Sequence, residues 1–217
     1  MLRKSLATIF TVMLSVIVIG CSSTKETEIE TKEVTETLTA NEGEFSKNYT
    51  QSEVESLNAE ISEEMKELIT FYGLEYLENT ETKKENEEIV LDTYIYFDNL
   101  EAEPNRIESV YYSYKTYGEN RLKASLGLKM GFKLDLEQIK TEKRFNFEET
   151  SMASFIEVIT NDSERDYSDI NNKIIEIVNS ESETGKIVTN VDGLVETIMI
   201  KDDYLLYKLD SKVYDFQ

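Results

Sequence analysis

From residue 52 onward the apolar positions follow two rhythms in turn. Val54, Leu57, Ile61, Met65, Leu68 and Tyr72 recur at three- and four-residue steps, which places them on one face of a helix. Ser52 with Glu55 has the spacing of a capping box at the start of that face, and Gly73 follows as a stop. An amphipathic helix over 53–72 is therefore predicted. The polar stretch "ENTETKKENEE" comes next and reads as a link.

The period then falls to two. Ile89, Leu91, Thr93, Ile95 and Phe97 alternate with Val90, Asp92, Tyr94 and Tyr96. In "RIESVYYSYKTY", Val110, Tyr112 and Tyr114 share one face, and Tyr111, Lys115 and Tyr117 share the other. After a "GEN" turn comes the clearest strand. Leu122, Ala124, Leu126, Leu128, Met130, Phe132 and Leu134 point one way; Lys123, Ser125, Gly127, Lys129, Gly131, Lys133 and Asp135 point the other. Such a strand has one buried and one wet face, and the two glycines on the wet face suggest a bend or a close approach. "KRFNF" at 143–147 reads as a fourth strand.

Helical spacing returns twice, in Met152, Phe155, Ile156 and Ile159 and in Ile170, Ile174, Ile177 and Val178. Strands follow at 187–191, 194–200, 204–209 and 213–216, with Asp192-Gly193 and Asp202-Asp203 as turns. The order predicts an α+β fold: an antiparallel sheet of two meanders, an N-terminal amphipathic helix and two short central helices, the helices packed on one face. In topology alone, a helix followed by a meander resembles cystatin- and NTF2-like rolls.

The first 51 residues obey neither rhythm. Arg3 and Lys4 precede an apolar run from Leu6 to Ile19 that is too short to span a bilayer permanently. Basic head, apolar middle and small residue make an export signal. It ends in Val18-Ile19-Gly20-Cys21, which resembles the lipobox of bacterial lipoproteins. That resemblance implies cleavage after Gly20 and a diacylglyceryl group on Cys21, the only cysteine, anchoring the chain on the extracytoplasmic face of the cell membrane. Residues 22–51 are rich in Thr and Glu, with too little apolar surface to offset their ordering entropy. The expected organisation is thus a signal peptide at 1–20, a lipidated Cys and disordered acidic tether at 21–51, and one globular domain at 52–217.

Charge narrows the partners. The chain has 23 basic and 44 acidic residues, a formal net charge of −21. Without Arg3, Lys4 and the seven Glu and three Lys of residues 22–51, the body holds 18 basic and 37 acidic side chains, a net of −19. Such a body repels nucleic acid and anionic lipid and favours a cationic partner. Low Gly and Pro with heavy Lys, Glu, Ile and Asn has the look of an AT-rich, Gram-positive genome.

Absences narrow the chemistry. With no His and Cys21 assigned to lipid, Ser–His and Cys–His catalysis, disulfides and the usual zinc sites are out. No Gly-rich phosphate loop is present, and no cofactor or metal is expected. "NDSERDYSD" lacks the Gly and distal Glu of a calcium loop and reads as a helix-capping loop.

Tyrosine is the enrichment left to explain. Tyr111, Lys115, Tyr117 and Lys129 would form a basic, aromatic binding surface if their face points outward. The expected function is a non-enzymatic binding module for a protein or envelope component. One special case is an immunity lipoprotein against an exported toxin, since the layout resembles the TipC group of lipoprotein immunity proteins, with no residue carried over. The other alternative is a carboxylate-driven hydrolase of cell-wall glycans, which needs two acids in a cleft.

Overall fold

The structure is a computed structural model that describes residues 42–217 except Asn86, Leu100 and Glu101. The export signal, Cys21 and the tether up to residue 41 lie outside the described residues. Among the described residues, no helix is long and apolar enough to cross a membrane.

The fold is α+β, with four α-helices and an eight-stranded antiparallel sheet among the described residues. Helix α1, Gln51–Phe71, buries Val54, Ile61, Met65 and Ile69. Its capping box sits two residues before the one expected. Glu53 N–H donates to Thr50 Oγ1 at 3.4 Å, and Thr50 N–H donates to Glu53 Oε2 at 2.7 Å. Gly73 ends the helix at φ 71°, its N–H donating to the Thr70 carbonyl.

Strands β1 (Leu77–Glu85), β2 (Glu88–Asp98), β3 (Arg106–Tyr117) and β4 (Lys123–Lys133) form the first meander. The polar stretch expected to be a link is therefore strand β1. It is an edge strand, exposed along most of its length, so it shows no apolar alternation. Helix α2 (Leu136–Glu142) follows β4, and "KRFNF" is not a strand. It is the left-handed C-cap at Lys143 and a loop into a 3-10 turn at Phe147–Glu149. Phe145 and Phe147 are both buried, which mimics a strand period although the chain makes no ladder there.

Helices α3 (Ser151–Thr160) and α4 (Ser168–Val178) lead to β5 (Thr184–Val191), β6 (Leu194–Lys201), β7 (Tyr204–Asp210) and the short β8 (Tyr214–Asp215). The two meanders join into one sheet in the order β1-β2-β3-β4-β7-β6-β5. The join is β4 with β7, from Gly127 opposite Asp210 to Lys133 opposite Tyr204. β8 continues the same edge of β4 at Lys123 and Ala124.

All the helices bury their apolar stripes on one face of this sheet. There Ile61, Met65 and Ile69 meet Leu128, Met130 and Phe132, while Ile170, Ile174 and Val178 meet Ile187, Ile198 and Ile200. Leu128, Met130 and Phe132 are fully buried, and each such side chain contributes roughly 1.5–3 kcal/mol.

Part of the expected tether belongs to the body. Phe45 is 2% exposed and sits in the main core. Its N–H donates to the Asp192 carbonyl at 3.0 Å, Lys212 Nζ donates to the Ser46 carbonyl at 2.6 Å, and Tyr49 packs edge-on against Tyr214. The segment follows the β5–β6 turn, where Gly43 and Gly193 leave no room for a Cβ. The globular domain therefore starts by residue 42, not 52.

Candidate functional site

The side of the sheet opposite the helices has no helix over it among the described residues, and its strand side chains stand outside the two hydrophobic clusters, although Val90 is fully buried among its neighbours. Cross-strand partners point the same way, so the register gives its membership. β1 contributes Glu81, Lys83 and Glu85, and β2 contributes Val90, Asp92, Tyr94 and Tyr96. β3 contributes Tyr111, Ser113, Lys115 and Tyr117, opposite Lys129, Gly127, Ser125 and Lys123 of β4. Tyr111, Lys115, Tyr117 and Lys129, the surface expected from alternation, therefore lie on one open face.

The β1–β3 half of this face is neutralised from within. Asp92 is fully buried under its neighbours. Lys83 Nζ lies 2.7 Å from its Oδ2, and Tyr111 Oη donates to the same oxygen at 2.9 Å; Oδ1 has no hydrogen-bond partner among the described residues. Lys83 also lies 3.2 Å from Glu85, which takes Lys115 at 3.1 Å. Burial alone would lower the Lys83 pKa, but the bonds to Asp92 and Glu85 outweigh it and raise it. Burial and the bond to Asp92 raise the Tyr111 pKa, so the phenol stays protonated. Tyr94 lies over Tyr111 at 4.8 Å and takes a bond from Asn79. Tyr117 is paired with Ser125 at 2.8 Å. Three of the four expected residues thus have hydrogen-bond partners of their own. Lys129 makes no hydrogen bond or ion pair among the described residues and lies over the face of Tyr111 at 5.7 Å.

The other half, on β4, β7, β6 and β5, differs. Lys129 faces Lys208, which faces Thr197, then Val188. The next row on the same side runs Gly131, Leu206, Met199, Lys186, and the next Lys133, Tyr204, Lys201, Thr184. Among the described residues, Lys129, Lys133, Lys186, Lys201 and Lys208 come within 4.0 Å of no carboxylate, whereas Lys83, Lys115 and Lys123 all do. Five lysines without counter-ions thus surround a centre of Leu206 and Met199. Tyr204 lies across Gly131, where an added Cβ would fall 2.5 Å from the phenol oxygen. The close approach suggested by the wet-face glycines is real at Gly131.

Lys129 and Lys208 stand directly opposite each other across β4 and β7. Like charges so placed destabilise a sheet by up to about 1 kcal/mol. Burial lowers the Lys129 pKa, and Lys208 and Lys115 push it the same way against the opposing pull of Asp210. Alternation marked Lys129 in advance. It did not mark Lys186, Lys201 and Lys208, because nothing in the sequence announces that β7 pairs with β4.

Two other places carry polar chemistry. Under the helices, Glu196 is 1% exposed, with Arg165 Nη2 at 2.8 Å and Tyr207 Oη at 2.6 Å, and Thr189 Oγ1 bonds it as well. Arg165 lies over the Tyr167 ring at 4.6 Å. Arg165 comes from "NDSERDYSD", whose acids cap locally: Asp162 accepts from Glu164 N–H and Asp166 from Ser168 N–H. This network ties the α3–α4 loop to the sheet. A shallow hollow of about 250 Å³ beside α2 is lined by Asn105, Gln138, Glu142, Arg144 and Glu149 among others. Glu149 there is bound by Arg144 and Asn146 and is 67% exposed. Among the described residues, no group of three or more Cys, Asp and Glu is placed to hold a metal ion.

No family model matches the chain, and neither a curated protein nor a solved structure does.

Proposed function

We propose that the protein is an extracytoplasmic binding module, held to the membrane by a diacylglyceryl group on Cys21, that recognises a protein partner through the open face of its sheet without catalysing a reaction. The observation that carries this reading is the bare face itself. A seven-strand-wide surface displays tyrosines and five lysines lacking carboxylate partners among the described residues, on a body of net charge −20 from residue 42 onward. Unpaired lysines placed side by side cost stability, and a fold with 39 acidic residues in its body has ample means to neutralise them. Their persistence is accounted for by a partner that supplies the missing charge. Tyrosines beside them offer rigid area with a polar tip, the composition of interface anchors.

The test places a photo-crosslinking residue, one position at a time, at Ser125, Lys129 and Thr197 on the open face and at Glu64 and Glu176 on the helix layer, in the full chain on intact cells. The reading expects discrete adducts from the open-face positions only, and loss of membrane attachment in Cys21→Ala. Adducts confined to the helix-layer positions, or hydrolysis of envelope glycan by the purified protein, would contradict it.

A further inference from the structure

We infer that the half of the open face built by β4, β7, β6 and β5 binds an acidic protein surface that presents an apolar side chain among its carboxylates. The inference rests on the binding-module reading and adds the place and the chemistry of the partner.

The surface has the anatomy of an interface, an apolar centre within a charged rim. Leu206 and Met199 are directly opposed on β7 and β6 and half-buried, and neither belongs to the core beneath. Val188 and Val195 extend the apolar ground on β5 and β6, with Val195 39% exposed. Lys129 and Lys208 bound the centre on one side, Lys133 and Lys201 on the other, and Lys186 at its β5 end. Gly131 opens the β4 end, with Tyr204 laid across it. Asp210, in the row of Gly127, Val195 and Asn190, is the acid that these four strands contribute to the face.

Charge decides the class of partner. The body as a whole repels anions, so a diffuse polyanion gains at this patch and loses everywhere else. A compact partner that places its carboxylates within the reach of these lysines gains locally, because screening shortens the repulsion from the rest to about 8 Å at physiological salt. A carboxylate between Lys129 and Lys208 would cancel their mutual repulsion, so part of the binding free energy is relief of strain already in the fold. A membrane is the weaker fit. Leu206 and Met199 are half-buried, and the exposed Val195 is a short side chain, so this half offers no long apolar group to insert.

The test uses the full chain in a zwitterionic detergent, with methyl signals of Leu, Val and Met followed by NMR. The probe is an eight-residue peptide with Leu-Phe at its centre and three acidic residues on each side. The inference expects shifts confined to Leu206, Met199, Val188 and Val195. It expects affinity to fall at least about tenfold in Lys129→Glu/Lys208→Glu, with core signals such as Leu128 and Leu205 unmoved. A peptide with Lys for the acids, or with Ser-Ser for Leu-Phe, should bind at least about tenfold more weakly. Failure of the acidic peptide to shift these methyls, or equal binding by all three peptides, overturns the inference. Shifts produced by phosphatidylglycerol vesicles but not by the peptide overturn it in favour of a lipid surface. The outcome depends neither on acylation of Cys21 nor on a cell-surface partner. Failed cross-linking on cells together with intact peptide binding would therefore retire the reading of a partner met at the cell surface and leave the inference standing.

Discussion

Leu128 and Lys129 are adjacent residues on opposite faces of β4, and substituting them separates a covered face from an open one. Leu128 is fully buried, with Tyr112 and Leu209 as cross-strand partners and α1 in the same core. Leu128→Ala removes packed atoms from a site braced on three sides, so little relaxation is available and the cost should be about 2–5 kcal/mol. Lys129→Ala removes a side chain that meets solvent, one ring, the like charge of Lys208 opposite and the weaker, opposing influences of Lys115 and Asp210. Losing the Tyr111 ring contact costs about 0.5–1 kcal/mol, and relief of repulsion from Lys208 returns about 0.2–1 kcal/mol. The two nearly cancel, leaving a change within about 0.8 kcal/mol. Lys208→Met has the relief without the ring loss and should raise stability by a few tenths of a kcal/mol. Urea unfolding followed by circular dichroism reads all three from the midpoint at constant slope. If Lys129→Ala costs as much as Leu128→Ala, the face called open is covered and the binding surface proposed here does not exist.

Further outcomes follow from the same packing. Phe45→Ala should cost about 3–5 kcal/mol by denaturant unfolding, because the ring fills the core beneath the β5–β6 turn; a cost under about 1 kcal/mol would return residues 42–50 to the tether. Arg165→Met leaves the Glu196 carboxylate buried and unpaired and should cost about 3–5 kcal/mol, much of it regained when Glu196→Gln is added; the same unfolding assay reads both. Burial, against a lowering bond from Ser211, pushes the Tyr214 phenol up to about 12. Its folded pKa exceeds its unfolded value of 10, so the folded state holds its proton longer, and that contribution is complete below pH 10 and lost as pH rises to about 12. Tyr214→Phe should therefore flatten the fall in stability between pH 10 and 12, and an unchanged alkaline slope would refute the assignment.

The elements visible in the sequence were those that bury one face. Leu122 to Leu134 announced β4, and the stripe from Val54 to Tyr72 announced α1. β1 escaped because both of its sides meet water or other polar groups, so its ladder leaves no hydrophobic period. "KRFNF" misled in the opposite sense, since Phe145 and Phe147 are buried by a loop and not by a sheet. Phe45 lay in an acidic, Thr-rich stretch where a single aromatic ring has no period to belong to. At the open face, alternation assigned Tyr111, Lys115, Tyr117 and Lys129 to one side. It could not see that Glu85, Asp92 and Ser125 occupy three of them, nor that Lys129 meets Lys208 across a join between meanders about 80 residues apart in sequence.

The most direct test of the open face as the recognition surface is a lysine footprint. A membrane-impermeant acylating reagent is applied to the full chain on cells that carry it naturally and to the purified protein, and each lysine is quantified by mass spectrometry. Lys84 and Lys143, exposed and away from the open face, serve as internal references. The account predicts that Lys129, Lys201, Lys208 and Lys186 are modified severalfold less on cells than in the purified protein, relative to Lys84 and Lys143. Equal modification in both settings, or protection of Lys84 and Lys143 instead, would contradict it.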